Sequence, residues 1–324
     1  MTGWIASFLE VVYVNPVHPI DTPPGWQAVA DRLSQHIGRC EALLNRNAYF
    51  SARSEAESAI LYLVRVLDLM DNRYASEPAW LAAQQALREA DDFVGQQRLS
   101  TDRSLLRRIV DSHETPILKN GDLSTVAPMA AAQHYHIYAL DLMLQATQRH
   151  PWACEALYAL GRTYQAQAET EQGAKAEPFR SRAAVYYRGA HNIDPNNPLA
   201  SNQLGYLMLQ MDRPADAQQA LIASIQAEPS AANLQNLAEA SRRLGDRKLQ
   251  NWAETNLAAI PSVPVPTHQI PVVMELDPKV FAAISPRASG PSTVVNNSVA
   301  NGQAHAAATS AGYRTAAAPG NGRY

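Results

Sequence analysis

Three stretches of this chain share one internal spacing. Ala139, Met143 and Ala146 lead to Pro151, Ala183, Tyr187 and Ala190 lead to Pro195, and Ala217, Leu221 and Ser224 lead to Pro229. The steps are four, three and five residues each time, and Pro195 and Pro229 lie 34 residues apart. Steps of four and three place side chains on one face of a helix, and self-similarity at such a period reports stacked supersecondary units. Each proline closes a helix, because its ring cannot continue the hydrogen-bond ladder. A hairpin of two short helices cannot bury its apolar face alone, so its neighbours must cover it.

Between the prolines lie Leu160-Gly161 with Tyr164, and Leu204-Gly205. With the prolines and the small-residue spacing, these pairs make residues 126 to 261 resemble tetratricopeptide repeat proteins. There are two good copies, an upstream half-repeat and a weaker third copy. In the third copy Leu237 is kept, Ala238 replaces the glycine, and Gly245-Asp246 supplies the turn, so it reads as a terminal cap. The first full copy carries about ten extra residues around Ala168 to Glu177, expected as a longer first helix and inter-helix loop. The resemblance implies an all-α, right-handed superhelical solenoid of antiparallel helical hairpins.

Residues 25 to 120 form a separate helical region. Trp26, Val29, Leu33, Ile37, Cys40 and Leu44 recur at three- and four-residue steps, then Phe50 through Met70, then Trp80 through Val94. These are three long helices with buried faces. Leu105, Leu106, Ile109 and Val110 predict a shorter fourth helix ending before Pro116. Asn47, Tyr49 and Ala52, followed by Ala56 and Ala59, look like the turn and second helix of a degenerate repeat. The region is either divergent copies of the same unit or an unrelated helical hairpin. Cys40 reads as a small buried hydrophobe.

The resemblance implies that first helices line a concave groove that receives a peptide or a partner's helix. Aligned on Gly161, Gly205 and Ala238, the groove candidates are Tyr158, Arg162 and Gln165, then Asn202, Tyr206 and Leu209, then Gln235, Glu239 and Arg242. Each trio lies on one helix face. Such residues suit hydrogen bonding to an extended backbone and stacking on partner side chains. Members of the family that clamp a terminal carboxylate use lysine, arginine and asparagine. The aligned positions here have no lysine, and Tyr158 and Tyr206 stand where basic or amide groups would be wanted, so that specificity is not expected. Arg162 and Arg242 would attract an acidic ligand modestly, and less so in salt.

Chemistry-bearing motifs are missing from the sequence. No GxSxG, no GxxxxGK[ST] and no dinucleotide fingerprint occurs. His134 and His136 are two apart on a predicted helix, a poor chelate, and His113-Glu114 lacks an HExxH context. Asp91-Asp92 reads as a solvated pair. The two cysteines, Cys40 and Cys154, are too few for a disulfide scaffold or a four-cysteine zinc site. No catalytic residue, metal or cofactor is therefore assigned. Basic and acidic residues number 12 against 14 over residues 25 to 125 and 11 against 12 over residues 126 to 261, so a dominant nucleic-acid footprint is absent.

The ends read differently. Residues 1 to 24 open with an apolar run broken by Glu10, too short to span a bilayer and without Lys or Arg, and continue through Pro16, Pro19, Pro23 and Pro24 as an extended segment. Residues 262 to 324 form a Pro-, Ala- and Asn-rich tail. Gln269 to Ile284 carries apolar groups able to dock on the repeats or a partner, and the sequence beyond Arg287 has the composition of disorder.

The expectation is a cytoplasmic, bacterial-type protein–protein interaction scaffold with a protein or peptide partner. It would bind neither nucleic acid nor membrane. The alternatives are a helical-repeat enzyme or an enzyme's accessory domain, and self-association through the front helices.

Overall fold

The computed structural model describes residues 25–94 and 102–260, without the side chain of Arg103. The expectations for residues 1 to 24 and 262 to 324 lie outside them. The described residues are all-helical, with no strand among them. The helices are α1 (Trp26–Leu44), α2 (Tyr49–Asp71), α3 (Ser76–Ala90), α4 (Arg103–Ser112), α5 (Pro128–Ala146), α6 (Pro151–Thr170), α7 (Glu177–Ile193), α8 (Pro198–Gln210), α9 (Pro214–Ala227), α10 (Ala231–Leu244) and α11 (Arg247–Ala259).

From Pro151 onward the chain forms three consecutive hairpins, α6–α7, α8–α9 and α10–α11, and each second helix packs on the first helix of the next pair. Local chemistry sets their ends. Pro195 and Pro229 follow the last residues of α7 and α9, as their sequence spacing predicts. Pro151 instead opens α6, and Pro198 and Pro214 also stand in first turns, where no intrahelical N–H is needed. The Asn197 side chain accepts from the N–H of Ala200, and Ser230 with Asn233 forms a capping box. Gly245 closes α10 in the left-handed region, with φ of 72°. The extra residues of the first copy lengthen α6 to 20 residues, against 13 in α8, and add one 3-10 turn, Gly173–Ala176.

All nine residues of the repeated small-residue spacing are fully buried. The glycines show why the spacing matters. A Cβ at Gly161 would lie 2.5 Å from the Tyr187 ring, and one at Gly205 would lie 2.5 Å from Leu221 and 3.2 Å from the carbonyl oxygen of Ala217. Each of these first helices therefore meets its second helix through a position with no room for a side chain. Ser224 joins three helices: its hydroxyl donates to the Pro198 carbonyl at 2.8 Å and accepts from the Asn233 amide at 3.0 Å.

The front of the chain is arranged differently. α1 and α2 form a hairpin, and it is this hairpin that packs on α6, with α2 making the larger share. The helix expected to precede α6, α5, instead pairs with α3 and lies against α7. Ala52, Ala56 and Ala59 of α2 repeat the four-and-three spacing and are fully buried, so α2 carries the same small face as α7 and α9. The chain enters α6 through a turn before Pro151 in which Gln148 and Arg149 take φ of 49° and 54°. The Gln148 amide donates to the Asp71 carboxylate at 2.7 Å across 77 positions of sequence. The chain leaves α2 at Asn72, runs through α3, α4 and α5, and returns to the place it left.

This excursion is fastened at several points. Asp68 accepts from the backbone N–H groups of Ala75, Ser76 and Glu77 at 2.8, 2.7 and 2.9 Å, a carboxylate at the positive end of α3. Burial works to raise that carboxyl's pKa, and the hydrogen bonds together bring it below its ordinary value. Buried Glu89 accepts from the N–H groups of Glu114 and Thr115 at 2.7 and 3.2 Å and pins the segment after α4. Asp91, expected as a solvated neighbour of Asp92, instead forms a half-buried ion pair with Arg182 of α7. The Tyr186 hydroxyl donates to Gln84 of α3 at 2.9 Å, and Tyr164 stacks on Tyr186 with ring centroids 5.3 Å apart.

Candidate functional site

Two adjoining clefts lie where the end of α1 meets α6 and the start of α8. The first, about 300 Å³, is lined mainly by polar groups: Asn45, Asn47, Gln165, Glu169 and Gln203, with Arg162. The second, about 220 Å³, has Ile37, Leu44, Tyr158, Ala159 and Leu199 as its apolar wall, with Glu41, Glu155 and Arg162 beside it. Arg162 belongs to both, and its guanidinium lies 3.8 Å from the Glu41 carboxylate.

The first predicted trio is thus brought together at these clefts. Tyr158 is half-buried, its ring centroid 5.8 Å from that of Tyr187, and burial raises its hydroxyl pKa above the ordinary value. Gln165 accepts from the Tyr187 hydroxyl at 2.7 Å, which fixes the orientation of its amide.

The other two trios lie outside the linings. Asn202 accepts from the Asn236 amide at 3.1 Å, tying α8 to α10, and Tyr206 is half-buried. Leu209 is buried at 5% exposure, which leaves its side chain little surface to offer a ligand, and its carbonyl accepts from Arg243 at 2.7 Å. Gln235 and Arg242 are exposed. Glu239 accepts from Arg242 and Arg243, and these two partners pull its carboxyl down to about 2. Both arginines expected to attract an acidic ligand therefore have carboxylate partners already.

Several cleft residues are absent from the sequence candidates. Glu155, Glu169 and Leu199 sit one helical turn beyond Tyr158, Gln165 and Asn202, so extending each face by a turn finds them. Ile37, Glu41, Leu44, Asn45, Asn47 and Tyr49 come from the front hairpin. Their one signal is the repeat-like turn through Asn47, Tyr49 and Ala52.

His113 and the two cysteines, outside the clefts, are engaged in structure. His113 is buried, its Nδ1 2.9 Å from the Tyr135 hydroxyl and its Nε2 3.1 Å from Asp92. This carboxylate–imidazole–phenol chain has the composition of a proton relay, yet Tyr135 is fully buried and its hydroxyl also meets the Ile117 carbonyl at 3.3 Å. It fastens the segment after α4. Cys40 and Cys154 are free and buried, and burial pushes their thiols up to about 11 and about 12, away from nucleophilic use. Among the described residues no group of three or more His, Cys, Asp or Glu is placed to hold a metal ion, and no helix is long and apolar enough to cross a membrane.

No protein-family model matches this chain, and no curated protein and no solved structure matches it either.

Proposed function

We propose that this protein is a non-enzymatic scaffold of tetratricopeptide-like hairpins that binds an extended segment of another protein along its first helices. The observation that carries the reading is the cleft pair at α1, α6 and α8, in which an apolar wall adjoins a set of side-chain amides. Asn45, Asn47, Gln165 and Gln203 offer donors and acceptors, and Tyr158 and Leu199 offer an apolar seat. That combination suits a backbone held by hydrogen bonds and anchored by one large side chain.

In this reading α1–α2 is the first hairpin of a solenoid, interrupted by the excursion through α3, α4 and α5 and resumed at α6. Tyr206 and the α10 face extend the groove, with α10–α11 as its cap. The test is co-purification from cells with identification of bound proteins by mass spectrometry. A partner recovered with the native chain and lost with Tyr158→Ala/Tyr206→Ala is expected. Equal recovery of every partner with both chains would contradict the reading.

A further inference from the structure

The charge lining the clefts points to a particular class of segment. Among the lining residues are three carboxylates, Glu41, Glu155 and Glu169, and one guanidinium, Arg162. Arg162 pairs with Glu41, so no other lining cation is left to match Glu155 and Glu169. Both are exposed, and Glu169 accepts from the Gln165 amide at 3.4 Å. The same clefts hold the apolar wall and Leu199, which is 59% exposed. The α10 end contrasts with this, because Glu239 is matched there by Arg242 and Arg243.

We infer that the groove takes a cationic segment of a partner protein: a large apolar side chain against Tyr158, Leu44 and Leu199, flanked by Lys or Arg that meet Glu155 and Glu169. This rests on the docking function proposed for the clefts and reverses the sign of ligand charge suggested by Arg162 alone. A lysine or arginine beside an apolar anchor satisfies both features at once, whereas an acidic segment would set its charge against two unmatched carboxylates. The attraction is between exposed groups and therefore weakens with salt.

Short fluorescein-labelled synthetic peptides sharing the same leucine and phenylalanine positions, with lysine, serine or glutamate at the others, test this by fluorescence anisotropy against the full chain. The lysine peptide is expected to bind best at low salt. Glu155→Lys/Glu169→Lys should weaken it about tenfold or more, while Asp141→Lys, an exposed acid on α5, should leave it unchanged. Leu199→Ser should weaken any peptide seated in the groove. A serine or glutamate peptide that binds as well as the lysine one and responds to Leu199→Ser would overturn the charge class and leave the groove standing. Binding that ignores both the double reversal and Leu199→Ser, or no binding by any peptide, would overturn both.

Discussion

The two parts of this molecule reach similar packing by different routes through the sequence. From α6 to α11 each helix packs on helices next to it in the chain, across short junctions. In the front part α2 packs on α6 although three α-helices separate them in sequence. The lesson is that a small-residue face marks a helix that will be closely approached, and does not say by which neighbour. α5 carries the repeated spacing and is fully buried at Ala139, Met143 and Ala146, yet its partner is α3.

The largest expected effect tests where close approach is required. Gly205→Val drives a branched side chain into Leu221 and the Ala217 carbonyl, and should destabilise by about 3 kcal/mol in denaturant melts. Gly38 of α1 has open space where its Cβ would stand. Gly38→Ala should therefore stabilise by about 0.5–1 kcal/mol, the helix-propensity gain alone. A loss at Gly38 would mean that α1 is approached there as closely as α8 is at Gly205.

Next is the fastening of the excursion to α7. Asp91→Ala leaves the Arg182 guanidinium half-buried without its carboxylate, and a loss of about 2 kcal/mol is expected, discounted from a fully buried pair because both groups keep some solvent access. Arg182→Met/Asp91→Ala should recover part of that loss. A double variant as unstable as the single one would show that the charge left behind is not the cause.

Both parts carry a histidine held below its ordinary pKa, and the excursion holds its own harder. Burial, with smaller contributions from Arg182 and Arg188, lowers His136 of α5 from 6.5 to about 4. Burial, followed by Arg188, also lowers His191 of α7. For His136, between pH 6.5 and about 4, the unfolded chain binds a proton that the folded chain does not, so stability falls as the pH drops through that window. His136→Gln should flatten this part of the Tm-against-pH curve more than His191→Gln does. Equal slopes in the native chain and His136→Gln would place the pH dependence in another group.

The smallest effect concerns the bond that closes the excursion. Asp71→Ala removes an exposed acceptor from Gln148, and should cost under about 1 kcal/mol. A larger loss would mean that the return of the chain depends on this one bond.

What the sequence makes legible follows from the range over which each residue acts. The helices from Pro151 onward can be placed because prolines, glycines and small residues act locally, each on its own turn or its nearest helix. Helical spacing finds the first trio, and its cleft partners on α6 lie one turn farther along. The α1 wall of the clefts is hidden, because it depends on a pairing across the whole excursion. The turn at Gln148 and Arg149 takes positive φ without any glycine to announce it. Asp91 is misread as solvated for a similar reason: its partner Arg182 lies 91 positions away.

The proposed groove stands or falls with α1 lying beside α6 as one wall of the clefts. Spin labels on cysteines placed at Asn45 and Glu169, which line the same cleft, test this through dipolar broadening of the electron paramagnetic resonance spectrum. The native Cys40 and Cys154 are buried with raised pKa values and should stay unlabelled. Strong broadening relative to the two singly labelled chains is predicted, and a doubly labelled spectrum equal to the sum of the single ones would contradict it.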